Sequence, residues 1–276
     1  MSLIRPLTTE ELATYLARIG IAETPTARRD ELARIVAAHA GSIAFEDIAA
    51  FSGHTPDLRA ESLVTKLVHG CRGGWCFEQN LLLAAALLAI GFPVTGLGAR
   101  VVHGRPPESP PGPAHHMLLR VDLPDGPVVV DVGFGGMTLT GVLDLDVEAP
   151  QPTPHEPFRL AVAGRDRELG ALVGPTWQVL YTFDQCPRRW ADYDAANWYL
   201  ANHPDSHFRA TLMVARPAID RRYALSNRRL SVHHLGGRSD HHELTAPAEI
   251  RQALERHFLI DLSSADGLDA ALRRLF

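Results

Sequence analysis

The spacing of apolar residues changes once along this chain, near residue 91, and that change restricts the folds open to it. Before it, the run LLLAAALLAI (81–90) is apolar on every side, as expected of a buried helix. After it, HMLLRVDL (116–123) and PVVVDVGF (127–134) alternate or are rich in β-branched residues, as strands are. The sequence therefore predicts helices first and a sheet afterwards, which is an α+β chain.

Local signals refine this division into a helical part, a β part and a mixed part. Thr8 and Glu11 have capping-box spacing and predict the start of an N-terminal helix. The proline-rich stretch GRPPESPPGPA (104–114) predicts a loop. Further helices are expected at about 27–40, 60–69, 76–90, 188–201, 246–257 and 266–275.

Composition excludes several classes of function. The net charge is -5 and no run of five Lys or Arg occurs, so we expect neither nucleic-acid nor anionic-membrane binding. The longest apolar run is far shorter than the ~20 residues of a membrane span, and the N-terminus lacks the pattern of a signal peptide. Three cysteines, an odd and low number, argue against a disulfide framework and predict a cytoplasmic protein.

One of the cysteines has unusual surroundings. Cys76 lies in RGGWCFEQN (72–80), where the apolar helix is expected to begin. A helix start places a thiol at the positive end of the helix dipole, which favours the thiolate. Gly73 and Gly74 suggest a turn with unusual backbone angles and close approach of a substrate. Cys76 is therefore a candidate nucleophile that requires a histidine as its base.

The predicted hairpin supplies that histidine. PDG (124–126) is a turn signal between the two strands, so His116 at one end and Asp131 at the other are expected to lie side by side. An aspartate in an apolar run needs a partner, and a histidine would satisfy it. His115 is a rival for the base. Taken singly, each residue has a structural alternative: a small buried thiol, a histidine at a strand edge, and an aspartate capping the turn.

Taken together, RGGWCFEQN and HMLLRV…VVVDVGFGG resemble the arylamine N-acetyltransferase family. That family has an Arg-Gly-Gly-aromatic-Cys-aromatic-Glu-x-Asn signature, then a histidine leading a strand and an aspartate before Gly-Phe-Gly. The gaps here are 116 − 76 = 40 and 131 − 116 = 15 residues. Looser matches are SIAFEDIAAF (42–51) and NWYLANHPDSHFRATLMVARP (197–217).

The resemblance implies a fold and three domains. These are a helical bundle carrying the catalytic cysteine (1–91), a β-barrel carrying the histidine and aspartate (92–203), and an α/β lid (204–276). The core would resemble that of cysteine proteases, with Cys76 as nucleophile, His116 as base and Asp131 as the carboxylate that orients it.

The resemblance also suggests roles for residues around this group. Arg72, Glu78 and Asn80 would be structural support, with Arg72 and Glu78 paired. Phe45, Phe134 and Phe208 would line the acceptor pocket, although for Phe45 core packing is an equal alternative. The segment Gly133, Phe134, Gly135 and Gly136 would let the backbone approach the pyrophosphate of CoA.

The activity implied is a ping-pong transfer of acetyl from acetyl-CoA to an arylamine or hydrazine, a small-molecule acceptor. An alternative is a related amide synthase that closes macrolactam rings, with its acyl group on a carrier protein. Cysteine proteases and transglutaminases share Cys-His-Asp chemistry but not these motifs, and a non-catalytic binding protein would not need the full set. The acceptor, the acyl-chain preference and the choice between monomer and homodimer stay open.

Three His-His pairs raise the question of a metal. Adjacent residues on a strand point to opposite faces, so each pair offers one ligand at most. No Cys-x-x-Cys or His-Glu-x-x-His spacing occurs. We expect no metal, and we expect HHLGGRSDHHE (233–243) to form a solvent-exposed hairpin.

Overall fold

The computed structural model of the chain describes residues 5–106, 108–110 and 112–276. Outside this range lie residues 1–4, which precede the predicted N-terminal helix, and residues 107 and 111 of the predicted loop. The described helices are α1 (Thr9–Arg18), α2 (Arg29–Ser42), α3 (Ile48–Phe51), α4 (Ala60–Leu63), α5 (Cys76–Ile90), α6 (Asp192–Asn202), α7 (Pro247–Phe258) and α8 (Leu268–Leu272). Val64–His69 is a π-helical segment, and His207–Arg209 and Arg273–Leu275 are 3-10 turns.

In the described residues, twelve strands form two sheets. They are β1 (Phe45–Glu46), β2 (Val94–Val101), β3 (His116–Leu123), β4 (Gly126–Val130), β5 (Leu143–Asp144), β6 (Phe158–Ala163), β7 (Asp166–Val173), β8 (Thr176–Phe183), β9 (Met213–Ala218), β10 (Arg221–Ser226), β11 (Arg229–His234) and β12 (Ser239–Glu243). The α+β fold class predicted from the sequence is confirmed.

The helices begin and end where their local chemistry requires. At α1 the capping box is present: Thr8 Oγ1 accepts from Glu11 N, and Glu11 accepts from Thr8 N. Helix α5 begins at Cys76 and ends at Gly91, whose φ of 103° only glycine adopts readily. Twelve of the fifteen α5 residues are buried, because protein surrounds this helix on every side. The helix expected at 60–69 starts as α4 and continues as the π-helical segment.

The larger sheet has seven strands in the order β5-β4-β3-β2-β8-β7-β6, all antiparallel. Its two edges, β5 and β6, lie next to each other, so the sheet nearly closes into a barrel. The predicted hairpin is β3–β4, with Leu123 opposite Gly126 and Leu119 opposite Val130. This register places the start of β3 across from the residues that follow β4.

The smaller sheet has the order β1-β9-β10-β11-β12. Its first strand comes from the helical part of the chain: Phe45 pairs with Ala215 and Glu46 with Val214. The predicted exposed hairpin at 233–243 is formed by the end of β11 and by β12. How the chain divides into domains stays a prediction, and β1 ties residues of the first proposed domain to the sheet of the third.

Three apolar cores hold these layers together. The first packs α1, α2, the π-helical segment and α5 against one face of β3 and β4. The second lies between the small sheet, α7 and α8, and the third fills the barrel interior. Cys76 lies at the edge of the first core, where the helices, the barrel and the small sheet meet. Within the described part of the chain, no helix combines the length and apolar character needed to cross a membrane.

Candidate active site

Cys76 is the first residue of α5 and is almost completely buried, with 6% of its surface exposed. Its Sγ lies 3.9 Å from the backbone oxygen of His115. The unpaired N–H groups of a helix start create positive potential at this position. All three cysteines are free thiols.

His116 and Asp131 lie at the end of the hairpin, as the turn signal predicts. His116 opens β3, and Asp131 directly follows β4. His116 Nε2 and Asp131 Oδ2 are 2.7 Å apart, and both side chains are buried. Because Asp131 occupies Nε2, the other ring nitrogen, Nδ1, is available to a further partner, and the Cys76 thiol lies near enough to help raise the pKa of His116. The structure thus brings together the three residues predicted as catalytic.

The protonation of His116 and Asp131 follows from their contact. Burial lowers the pKa of His116, but the Asp131 charge and the hydrogen bonds with Asp131 and Cys76 outweigh burial and raise it from 6.5 to about 10. Burial raises the pKa of Asp131, and the His116 charge together with hydrogen bonds from His116, Asn80 and Gly133 brings it below 3.8. At neutral pH the pair is an imidazolium and a carboxylate.

Asp131 is held by three further donors. Asn80 Nδ2 and Gly133 N donate to Oδ1 at 3.0 and 2.9 Å. The Tyr181 hydroxyl donates to Oδ2, the oxygen that also binds His116, at 3.0 Å. A buried carboxylate with four donors is fixed in position, and it therefore fixes the ring that it binds.

His115, the rival for the base, faces a different environment. Its ring packs against the ring of Tyr199, with centroids 4.8 Å apart. Successive residues of a strand point to opposite faces, so only one of the two histidines reaches Asp131. That residue is His116.

Asn80, predicted as structural support, joins three elements. Its Nδ2 also donates to Cys76 O at 3.2 Å and to Met117 O at 2.8 Å, while its Oδ1 accepts from Val132 N at 3.2 Å. One side chain therefore connects the helix that carries Cys76, the strand that carries His116 and the segment that carries Asp131.

The predicted ion pair between Arg72 and Glu78 is wrong. Arg72 instead pairs with Glu46, with Nη2 and Oε1 2.8 Å apart, and Glu78 pairs with Lys66 at 2.8 Å. The signature sequence places Arg72 and Glu78 close together, but Glu78 points back beneath the turn and accepts from Trp75 N at 3.1 Å. The partner of the arginine comes from β1, which local sequence does not indicate.

The two glycines before the nucleophile are needed for space. Neither Gly73 nor Gly74 has a positive φ, so the expectation of unusual backbone angles is wrong. A Cβ on Gly73 would collide with the backbone oxygen of Ala44 and lie 2.7 Å from Glu46 Cγ. A Cβ on Gly74 would lie 2.8 Å from Glu78 Cβ. The glycines make room for the two buried glutamates.

A cleft of about 730 Å³ opens beside Cys76 and His116. Its lining includes the three predicted aromatic residues Phe45, Phe134 and Phe208. All four residues of the segment Gly133, Phe134, Gly135 and Gly136 also line it. A space of this size suits a drug-sized ligand, and its walls are mostly apolar.

Several residues around the site carry no local sequence signal. Tyr181 lies in a strand fifty residues from Asp131, and Lys66 precedes the signature by six residues. Gln79 binds His39 Nε2 at 2.7 Å and donates to the backbone of Ile43 and Ala44. Across residues 5–106, 108–110 and 112–276, no three His, Cys, Asp or Glu side chains form a group that could hold a metal ion.

The fold and the site together define an α+β enzyme with a buried cysteine beside a paired histidine and aspartate. A family model described as N-acetyltransferase matches residues 29–267. The arylamine N-acetyltransferase of Mycolicibacterium smegmatis is 42% identical over 95% of this chain and 96% of its own length. That of Mycobacterium tuberculosis is 38% identical over 92% of this chain and 90% of its own.

A solved structure extends the likeness to three dimensions. The Mycobacterium marinum arylamine N-acetyltransferase in complex with CoA superimposes with a TM-score of 0.92 at 38% identity, covering 96% of this chain and 99% of that one. The chain belongs to the arylamine N-acetyltransferase family and is an acyltransferase.

Proposed function

We propose that this protein transfers an acetyl group from acetyl-CoA to the nitrogen of an arylamine or arylhydrazine through an acetyl-Cys76 intermediate. The observation that supports it most strongly is the contact between His116 and Asp131 next to a thiol at a helix start. Relatives named arylamine N-acetyltransferase, one of them solved with CoA, supply the donor and acceptor classes.

In the first half-reaction the Cys76 thiolate attacks the carbonyl carbon of the thioester. The bond between that carbon and the CoA sulfur breaks, and the departing sulfur takes the proton held by His116. Because the pKa of His116 is raised to about 10, the histidine carries this proton at neutral pH, and the thiolate has a cationic partner.

In the second half-reaction the amine nitrogen attacks the acetyl carbon on Cys76. His116, now neutral, accepts the proton from the nitrogen, and the Cys76 thiolate is released. Arylamines suit this step because they are neutral at pH 7, with a free electron pair for attack. Their ring can pack against Phe45, Phe134 and Phe208 in the cleft.

The cleft also has features that suit the acetyl-CoA donor. Its lining includes the arginines Arg105 and Arg229 and one acidic residue, Asp205. Two guanidinium groups favour the phosphates of CoA, while the thioester must reach Cys76. We further propose that the protein acts in the cytoplasm, where reducing conditions keep its three free thiols reduced.

The test is intact-protein mass spectrometry after mixing with acetyl-CoA alone, without an amine. We expect a gain of one acetyl group, ~42 Da, on the wild type and none on Cys76→Ala. Adding an arylamine should then remove the label and release the N-acetylated amine.

Either of two outcomes would contradict the proposal. A wild-type protein that gains no mass from acetyl-CoA would have another donor, as the carrier-protein amide synthase does. A label on Cys76→Ala would place the acyl group on another residue. A folded Cys76→Ala variant, checked by circular dichroism, is required for this comparison.

A further inference from the structure

The chain uses lysine once. Among its 27 basic Lys and Arg residues, 26 are arginine, and the single lysine is Lys66. Lys66 lies in the π-helical segment Val64–His69, ten residues before Cys76. Short π-helical segments of this kind are frequently found at functional sites. The position of the one lysine therefore calls for a physical reason.

Lys66 lies between two buried carboxylates. Its Nζ is 2.8 Å from Glu78 Oε1 and 3.7 Å from Glu46 Oε1. The side chains of Glu46 and Glu78 are 0% and 1% exposed, whereas that of Lys66 is 22% exposed. An ammonium group is compact and can contact two carboxylates from different directions, whereas a guanidinium requires a planar arrangement.

Glu78 connects this pair to the nucleophile. While its Oε1 binds Lys66, its Oε2 accepts from Trp75 N, the backbone amide directly before Cys76. Glu78 also fills the space that a side chain at Gly74 would need. On the other side, Gly133 lies so close that a Cβ there would be 2.7 Å from Cys76 Cα. The Cys76 turn is thus held between Glu78 and Gly133, and a shift of Glu78 would move it.

The buried carboxyl groups around Lys66 outnumber the cations. Three buried carboxyl groups, Glu46, Asp47 and Glu78, lie with two cations, Lys66 and Arg72. Burial raises the pKa of Glu78, the Lys66 charge lowers it and the Glu46 charge raises it again, so that it lies above 4.5. Arg72 contacts Glu46, so Lys66 is the cation that contacts Glu78.

We propose that Lys66 is a positioning residue of the acyl transfer: by pairing with Glu78 it keeps that carboxylate ionised beneath the Trp75–Cys76 turn and so holds the thiol against His116. The role of Lys66 in acyl transfer rests on the proposed function, whereas its effect on the position of Cys76 does not. Without Lys66, Glu78 either takes up a proton or moves toward water as an ion.

The choice between these two responses depends on pH, which makes the proposal testable. At low pH the unpaired Glu78 becomes neutral and can stay in place, still accepting from Trp75 N through its carbonyl oxygen. At higher pH it ionises beside the charge of Glu46 with no cation in contact, and the turn is displaced. The effect of removing Lys66 should therefore grow as pH rises.

The experiment compares wild type, Lys66→Met, Glu78→Gln and the double variant Lys66→Met/Glu78→Gln between pH 6 and pH 9. Two rates are measured: single-turnover acetylation by acetyl-CoA, and alkylation of Cys76 by iodoacetamide, resolved from Cys71 and Cys186 by peptide mapping. We expect Lys66→Met to be roughly 10- to 100-fold slower at pH 8, because small displacements of reacting groups have effects of this size. The double variant should recover to within a few-fold of Glu78→Gln and lose the added pH dependence.

A matched control removes a cation from an exposed pair. Arg34→Met breaks a surface contact with Glu31 and should react as wild type. Lys66→Met rates within twofold of wild type at every pH, a double variant as slow as Lys66→Met, or an equal effect of Arg34→Met would each overturn the proposal. If wild type is alkylated rapidly but not acetylated, the proposed donor is wrong, and the alkylation rates still test Lys66. Thermal unfolding of each variant separates slow chemistry from loss of fold.

Discussion

At the scale of single residues, we predict opposite effects for alanine substitutions at Gly133 and Gly136, two glycines of the segment after β4. A Cβ on Gly133 would lie 2.7 Å from Cys76 Cα, 2.9 Å from Asn80 Nδ2 and 3.0 Å from Cys76 O. Backbone atoms cannot move aside cheaply, so Gly133→Ala should push the nucleophile from its place. We expect about 1–3 kcal/mol of destabilisation and at least tenfold slower acetylation of Cys76, a rate that stopped-flow or mass spectrometry measures.

The control for this prediction is Gly136, three residues further on. A Cβ there would meet nothing within 4 Å, so Gly136→Ala should keep wild-type stability and wild-type acetylation at saturating donor. A higher KM for acetyl-CoA in this variant would support the prediction that the segment contacts CoA. Equal acetylation rates for the two variants would mean that Gly133 does not hold the Cys76 turn.

Single residues also show where prediction from sequence succeeds. The placement of Cys76 at a helix start and of His116 beside Asp131 was predictable from local patterns, whereas the choice of these three as catalytic residues depended on the family resemblance. Tyr181 and Lys66 were not predictable, because their partners lie on other elements and neither residue breaks a pattern in its own segment. Local spacing gives the site its reacting groups, and the fold adds those that hold them.

At the scale of elements, the site depends on how α5, β3 and the segment after β4 are joined. Asn80 makes three hydrogen bonds across this junction and a fourth within α5, to Cys76 O. Asn80→Ala removes them, so Met117 O, Asp131 and Val132 N each lose a buried hydrogen-bond partner. We expect a loss of about 3 kcal/mol in the free energy of unfolding, measured by urea denaturation, and Cys76 acetylation at least tenfold slower.

A milder change, at another residue that donates to Asp131, serves as the comparison. Tyr181→Phe removes one of four donors to Asp131 and none of the links between elements. Its effect on unfolding should be about 1 kcal/mol, with slower acetylation as Asp131 holds His116 less firmly. If Asn80→Ala proved no more harmful than Tyr181→Phe, the junction would not depend on Asn80.

Elements also set the limit of what the sequence predicts. Helix α5 and the β3–β4 hairpin were foreseen, because fifteen residues of helix and a PDG turn are strong signals. Strand β1 has only two residues, Phe45 and Glu46, and it pairs with a strand nearly 170 residues later. Two residues cannot show a period, and this strand supplies both a wall of the cleft and the partner of Arg72.

At the scale of the whole molecule, two buried histidines give stability opposite dependences on pH. His39 connects three helices, with Tyr15 Oη 2.9 Å from its Nδ1 and Gln79 Oε1 2.7 Å from its Nε2. Burial lowers the pKa of His39 from 6.5 to about 4, with the Gln79 bond opposing. The folded pKa of His116, about 10, is instead raised. Folding therefore favours neutral His39 and charged His116.

The sign of each contribution follows from linkage. His39 stabilises the fold fully above its unfolded pKa of 6.5, and its contribution is lost as pH falls from 6.5 toward 4. His116 stabilises the fold fully below 6.5, and its contribution is lost as pH rises toward 10. Stability should therefore be greatest near pH 6.5 as far as these two groups determine it.

His39→Gln isolates the acid side of this dependence. Glutamine is neutral at every pH, so the variant should be less stable than wild type at pH 7, where it loses the packing and hydrogen bonds of the ring. Between pH 7 and pH 5 the wild type should lose about 2 kcal/mol more than the variant, because only the wild-type unfolded state gains a proton at residue 39. Urea denaturation of both proteins at half-unit steps of pH measures the difference between their free energies of unfolding. A difference that stays constant over this range would show that His39 takes up its proton at the same pH in the folded and unfolded protein, which contradicts a lowered pKa in the folded state.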